Sequence, residues 1–149
     1  MEGFTSYSEL PQFYIDAVIS VEDYRFENHC GIDLIAIGRA MLTDIKKHSF
    51  IQGGSTITQQ LAKNMLFTQE KKLERKVAEV FAALELECNY SKEDIFELYV
   101  NTSYFGNGYY GVEAAAKGYF NKSVSQLTLS EQAFIAAIPN NPSKYNPLT

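Results

Sequence analysis

The sequence predicts one mostly α domain. Apolar residues recur at helical spacing in segment after segment, Ser or Thr with an amide or acid three residues later opens several of them, and no alternating strand pattern of useful length appears. Internal repeats and low-complexity tracts are absent. A chain of 149 residues suits a single domain that buries roughly 70% of its unfolded surface.

Leu10, Phe13, Tyr14, Ala17, Val18 and Val21 follow helical spacing, with Ser8 as N-cap, so a first helix is expected to end near Glu22. After Gly31, the segment Asp33 to Ile45 repeats the pattern with Leu34, Ile35, Met41, Leu42 and Ile45. Thr56 and Gln59 form a capping box just past Gly53-Gly54 and open a third helix through about Leu66. The clearest amphipathic stripe, Leu73, Val77, Val80, Phe81, Leu84 and Cys88, predicts a long helix from about Gln69 to Tyr90. Ser91 with Asp94 caps the next helix, which carries Ile95, Leu98 and Tyr99. Asn101 to Gly111 reads as a loop and Val112 to Phe120 as a helix, followed by a turn at Asn121-Lys122-Ser123. Thr128 with Glu131 caps a last helix that must stop before Pro139. The polar stretch Thr43 to Gln52 is expected to be a mobile flap.

Composition removes several function classes. Thirteen Lys and Arg against 18 Asp and Glu give a net charge of −5, so nucleic acid finds no basic footprint and an anionic ligand needs a local cationic cluster. No apolar run approaches the ~18 to 20 residues of a membrane span, and Met1-Glu2-Gly3-Phe4 lacks the regions of a signal peptide, so the chain as given reads as a soluble piece. Cys30 and Cys88 are too few for a disulfide scaffold and lack zinc spacing; both are expected as free thiols, with Cys88 packed in the apolar stripe.

Three segments carry candidate chemistry. Glu22-Asp23 ends an apolar helix, with Phe26, His29 and Gly31 at short spacing, which suits either a reactive carboxylate or a solvated helix end. Gly53 to Asn64 places glycines, a helix N-terminus and, two turns inward, Lys63, which suits either a phosphate cradle or an ordinary cap. Arg75, Lys76 and Glu79 share one face of the long helix as an ion cluster. The side opposite the apolar stripe also bears Ala82, Ala83 and Leu86, so a lined cleft fits that cluster better than bulk water. Lys92 to Gly106 and Pro139 to Pro147 read as a helix with its loop and a Pro-punctuated loop.

Taken in order, the segments resemble the five motifs of the peptidoglycan glycosyltransferases, the family 51 domain of class A penicillin-binding proteins and monofunctional transglycosylases. Glu22-Asp23, Phe26, His29 and Gly31 match the first motif, and Gly54-Ser55-Thr56-Ile57-Thr58-Gln59-Gln60 with Lys63-Asn64 the second. Arg75-Lys76 with Glu79 match the third, Lys92 to Asn101 the fourth, and Pro139, Pro142 and Tyr145-Asn146-Pro147 the fifth. Coverage runs from about Tyr14 to the last residue. Two departures stand out: Phe96 where Leu is usual, and Lys71 where Arg is common, which keeps the charge but loses the bidentate fork.

The resemblance implies a lysozyme-like, multi-helix fold with a catalytic cleft between helical lobes, polymerising lipid II into β-1,4-linked glycan strands. Glu22 would be the general base and Glu79 a second catalytic carboxylate that orients a cation. Asp23, Ser55, Thr56, Gln59, Gln60, Lys63, Asn64, Lys71, Arg75 and Lys76 would bind the substrate and its pyrophosphate. No tightly bound cofactor is implied; magnesium or manganese would assist, with Glu22, Asp23 or Glu79 as the available ligands. Lipid II, the growing glycan strand, the bacterial membrane surface and other cell-wall synthesis proteins are the implied partners, at the extracytoplasmic face of the membrane. Family enzymes carry an N-terminal membrane helix and continue past the Tyr-Asn-Pro loop, so residues 1–149 are expected to be one glycosyltransferase domain lacking both. Two rivals make different demands: a lysozyme-like hydrolase or lytic transglycosylase needs no pyrophosphate clamp, and a non-catalytic lipid-pyrophosphate or glycan-binding module needs no base.

Overall fold

A computed structural model describes residues 3–47, 53–66 and 72–147. Among the described residues seven α-helices follow in chain order: α1 Gln12–Glu22, α2 Leu34–Lys47, α3 Ile57–Met65, α4 Lys72–Asn89, α5 Lys92–Thr102, α6 Val112–Phe120 and α7 Leu129–Ala137. Short 3-10 turns occur at Tyr7–Glu9, Phe26–Asn28, Val124–Gln126 and Ile138–Asn140. Among the described residues the only β pairing is an isolated antiparallel bridge between Tyr104 and Tyr110, so the mostly α expectation holds.

The helix starts follow the local chemistry. Thr56 Oγ1 accepts the Gln59 amide at 3.1 Å while Gln59 Oε1 accepts the Thr56 amide at 2.9 Å, and Ser91/Asp94 and Thr128/Glu131 form the same reciprocal box. Asp33 caps α2 by accepting the amides of Ile35 and Ala36. The α1 start differs from expectation: its cap is Pro11, while Ser6 and Glu9 box the preceding 3-10 turn and leave Ser8 outside α1. A proline there presets φ for the turn into the helix but offers no side-chain acceptor, so α1 begins without a side-chain cap. The expected flap begins inside a helix, since α2 continues to Lys47; its remaining residues 48–52 lie outside the described residues.

The core is built by α1 (Tyr14, Ile15, Val18), α3 (Ile57, Leu61), α5 (Ile95, Phe96, Tyr99, Val100), α6 (Val112, Ala115, Ala116) and α7 (Ile135, Ala136), joined by Phe26, Phe105 and Ile138. α1 packs on α7, and α3 lies between α4 and α5.

Two helices face the other way from expectation. On α4 the apolar stripe is outside: Leu73 is 77% exposed and Phe81 68%, with Val77 and Leu84 also exposed. Its covered side carries Glu79, Ala83 and Leu86. Cys88 is therefore an exposed free thiol, not a packed one, and Cys30 is exposed as well. On α2, Leu34, Ile35, Met41, Leu42 and Ile45 are all exposed. Helical periodicity identifies an apolar face without saying what medium the face meets; here the polar side of α4 is wanted by the site.

Candidate active site

Glu22 is the last residue of α1. Asp23 leaves the helix at φ −163°, ψ 73° while its own N–H still bonds Ile19 O at 2.9 Å, and this break half-buries the Glu22 carboxylate instead of releasing it to solvent. Gln60 Nε2 donates to Glu22 Oε2 at 3.1 Å. The Asn140 side chain, from the turn after α7, lies close enough to favour the charged form, while Oε1 is buried with no partner of hydrogen-bond geometry. Burial pushes the carboxyl above the usual glutamate range; the Gln60 and Asn140 contacts offset part of the rise and the Asp23 charge adds to it. A carboxylate with raised proton affinity, one oxygen fixed and the other without a hydrogen-bond partner is equipped to take a proton.

Asp23 points into the fold. Its Oδ2 accepts the backbone N–H of Ile57, the first residue of α3, at 3.0 Å and lies 2.7 Å from His29 Nε2. His29 Nδ1 accepts the Gly31 amide at 3.1 Å, which leaves the ring proton on Nε2 to be donated to Asp23. Gly31 sits at φ +103°, and a Cβ there would come within 3.0 Å of Ala83 O on α4. Only glycine meets both demands. Thr56 Oγ1 donates to Gly31 O at 2.6 Å, so the first segment and the α3 N-terminus are stitched together.

The α4 cations approach the same helix start. Lys76 Nζ donates to Ser55 Oγ at 2.8 Å and lies 3.5 Å from Glu79 Oε2, while Arg75 Nε lies 3.4 Å from Glu79 Oε1. Glu79 is 4% exposed, a buried anion held between two cations. Lys63, in the last turn of α3, is exposed and Asn64 half-buried. Gln59 is buried with its carbonyl spent on the capping box. Lys71 lies outside the described residues.

Glu22 thus meets Gln60, Asp23 meets the start of α3, and Ser55, Lys76, Glu79 and Arg75 form a connected cluster. Sequence reading gave no part to Asn140, Tyr99 or Glu87. Tyr99 Oη donates to Gln60 Oε1 at 3.2 Å. Glu87 Oε1 accepts Thr58 Oγ1 at 2.7 Å and Lys92 Nζ at 2.8 Å, and Lys92 also donates to His29 O at 2.7 Å. Glu87 lies on the flank of α4, between the exposed stripe and the covered face, so helical periodicity did not single it out.

Among the described residues no three His, Cys, Asp or Glu side chains converge as a metal site. The Asp23 and Glu79 carboxylates are engaged by Ile57, His29, Arg75 and Lys76. A magnesium or manganese ion here would be held by one or two of the Glu22, Asp23 and Glu79 carboxylates together with the substrate's phosphates.

The family model described as Transglycosylase matches residues 2–149. The chain is 50% identical over 143 residues to penicillin-binding protein 1F of Bacillus subtilis, covering 96% of this chain and 20% of that protein. It is 48% identical over 144 residues to penicillin-binding protein 1A of Aquifex aeolicus, covering 97% and 20%, and 45% identical over 142 residues to penicillin-binding protein 1A of Pseudomonas aeruginosa, covering 95% and 17%. The chain spans about a fifth of the length of the curated relatives it matches. With the five motifs on one helical scaffold and a family match over residues 2–149, the chain belongs to the transglycosylase family.

Proposed function

We propose that this domain polymerises lipid II into β-1,4-linked glycan, with Glu22 as general base. The observation that carries the reading is the half-buried Glu22 carboxylate with Oε2 held by Gln60 and Oε1 unpartnered. Glu22 takes the proton of the acceptor's GlcNAc 4-hydroxyl as that oxygen attacks the anomeric carbon of the growing strand. The bond from that carbon to the undecaprenyl pyrophosphate breaks, its electron pair leaves with the pyrophosphate, and the α linkage inverts to β. A pyrophosphate needs no strong acid to depart, only cations and hydrogen-bond donors for its charge. Lys76 on Ser55, Arg75 beside it on Glu79, Lys71 and exposed Lys63 are suited to that task. A hydrolase acting on neutral glycan has no use for such a cluster. A magnesium or manganese ion brought in by the pyrophosphate would help neutralise the leaving group's charge and needs no protein cage.

The working place is the extracytoplasmic face of the bacterial membrane, where the lipid substrate resides. No helix among the described residues is long and apolar enough to cross a membrane. The exposed apolar side chains of α2 and α4 suit contact with a lipid surface. The test supplies the chain, in detergent, with lipid II or with polymeric peptidoglycan and separates products by length. Glycan polymer from lipid II supports the reading; turnover of polymer alone selects the hydrolase, and binding without turnover by an intact fold selects the module.

A further inference from the structure

Tyr99 lies on the inner face of α5 and is 2% exposed, yet its hydroxyl reaches 39 residues back along the chain to Gln60 Oε1 at 3.2 Å. The same amide offers Nε2 to Glu22 Oε2 at 3.1 Å. A protonated phenol has one hydrogen, and donating it to Gln60 fixes which end of the amide faces α5. The nitrogen end must then face the carboxylate. Without that donor the amide can turn over and present a carbonyl oxygen to Glu22, a contact that only a protonated carboxyl accepts.

We propose that Tyr99 and Gln60 form a relay that positions Glu22, with the buried hydroxyl setting the amide's orientation so that Oε2 is held and Oε1 alone is left as the reactive oxygen. The proposal rests on the reading of Glu22 as base. Tyr99 and Gln60 are positioning residues in it, and the Gln60 carbonyl and one of its N–H groups serve the protein and not the substrate. The titratable groups around Glu22 are Asp23 beside it, Tyr14 on α1 and Tyr99 on α5, while α3 and the turn after α7 face it with the uncharged Gln60 and Asn140.

The experiment titrates the Glu22 side-chain carboxyl by 13C NMR in the chain as it stands, its signal identified by loss in Glu22→Gln, and repeats this in Tyr99→Phe and Gln60→Met. The relay predicts that the midpoint moves to higher pH in both variants. It also predicts that kcat on lipid II falls roughly three- to tenfold at neutral pH, the scale of one hydrogen bond, with KM within about twofold. Tyr99→Phe keeps the ring, so a purely structural role for Tyr99 lowers the melting temperature and leaves the midpoint in place. An unmoved midpoint in either folded variant overturns the relay, and Gln60→Met decides the matter if Tyr99→Phe does not fold. Full polymerisation by Glu22→Gln with a shifted midpoint overturns the base and spares the relay's geometry; an inactive Glu22→Gln with an unmoved midpoint does the reverse.

Discussion

Asp23 Oδ2 accepts the backbone N–H of Ile57 at 3.0 Å, joining the C-cap residue of α1 to the residue that begins α3. The same oxygen is 2.7 Å from His29 Nε2. One buried carboxylate therefore sets where the candidate base sits relative to the helix start that faces Lys76.

Removing that carboxylate orphans a buried amide and a buried ring N–H. Asp23→Ala is expected to lower stability by roughly 2–4 kcal/mol, since each lost partner leaves a desolvated donor behind. Asp23→Asn, which keeps an acceptor, is expected to cost less. Urea unfolding followed by circular dichroism measures both, and equal losses would show that the charge at position 23 matters and a neutral acceptor of the same shape does not replace it.

Glu22→Gln is expected to stabilise the fold at neutral pH. Burial raises the Glu22 carboxyl above its ordinary value of 4.5, so the folded state holds the proton more tightly than the unfolded chain and loses stability as pH rises through that window. The neutral amide escapes this loss. Its melting temperature should exceed that of the parent by a few degrees at pH 7.5, the range that about 1 kcal/mol moves a domain of this size, and the gap should close as the pH approaches 4. Calorimetry at the two pH values tests it; a gap of the same size at both would mean that ionisation is not its cause.

Gly31→Ala is expected to disturb two helices at once. The position needs φ +103°, and the new methyl would meet Ala83 O at 3.0 Å, where the neighbour is backbone and cannot rotate away. A loss of roughly 2 kcal/mol or more follows, with chemical-shift changes at both the α3 start and α4. Changes confined to residues 29–33 would contradict the stitching of these elements.

The secondary structure was legible because its signals are local. The boxes Thr56/Gln59, Ser91/Asp94 and Thr128/Glu131 each satisfy orphan amides within four residues, and all three open helices. What lay outside the sequence was direction. Leu73, Val77 and Phe81 read as a core stripe and are exposed, because α4 turns Glu79, Ala83 and Leu86 inward. Glu22 was legible as a carboxylate at a helix end. Its setting was not: the Tyr99, Gln60 and Asn140 contacts join segments far apart in sequence, which spacing does not encode.

Lys76→Met and Lys63→Met separate two kinds of cation. Lys76 holds Ser55 and Glu79, so its loss is expected to weaken lipid II binding about tenfold, the scale of one charge-assisted bond, and to lower the melting temperature as well. Exposed Lys63 is expected to weaken binding and leave the melting temperature unchanged. Binding in detergent at several salt concentrations measures both, and indifference of binding to both changes would remove the pyrophosphate clamp.

The central claim is most directly tested by lipid II consumption by this chain and by Glu22→Gln, side by side, with glycan products separated by length. Polymer from the parent and at least a hundredfold less from the variant, with lipid II binding retained by both, is the expected result. Comparable polymer from the two proteins would contradict the assignment of Glu22 as the base.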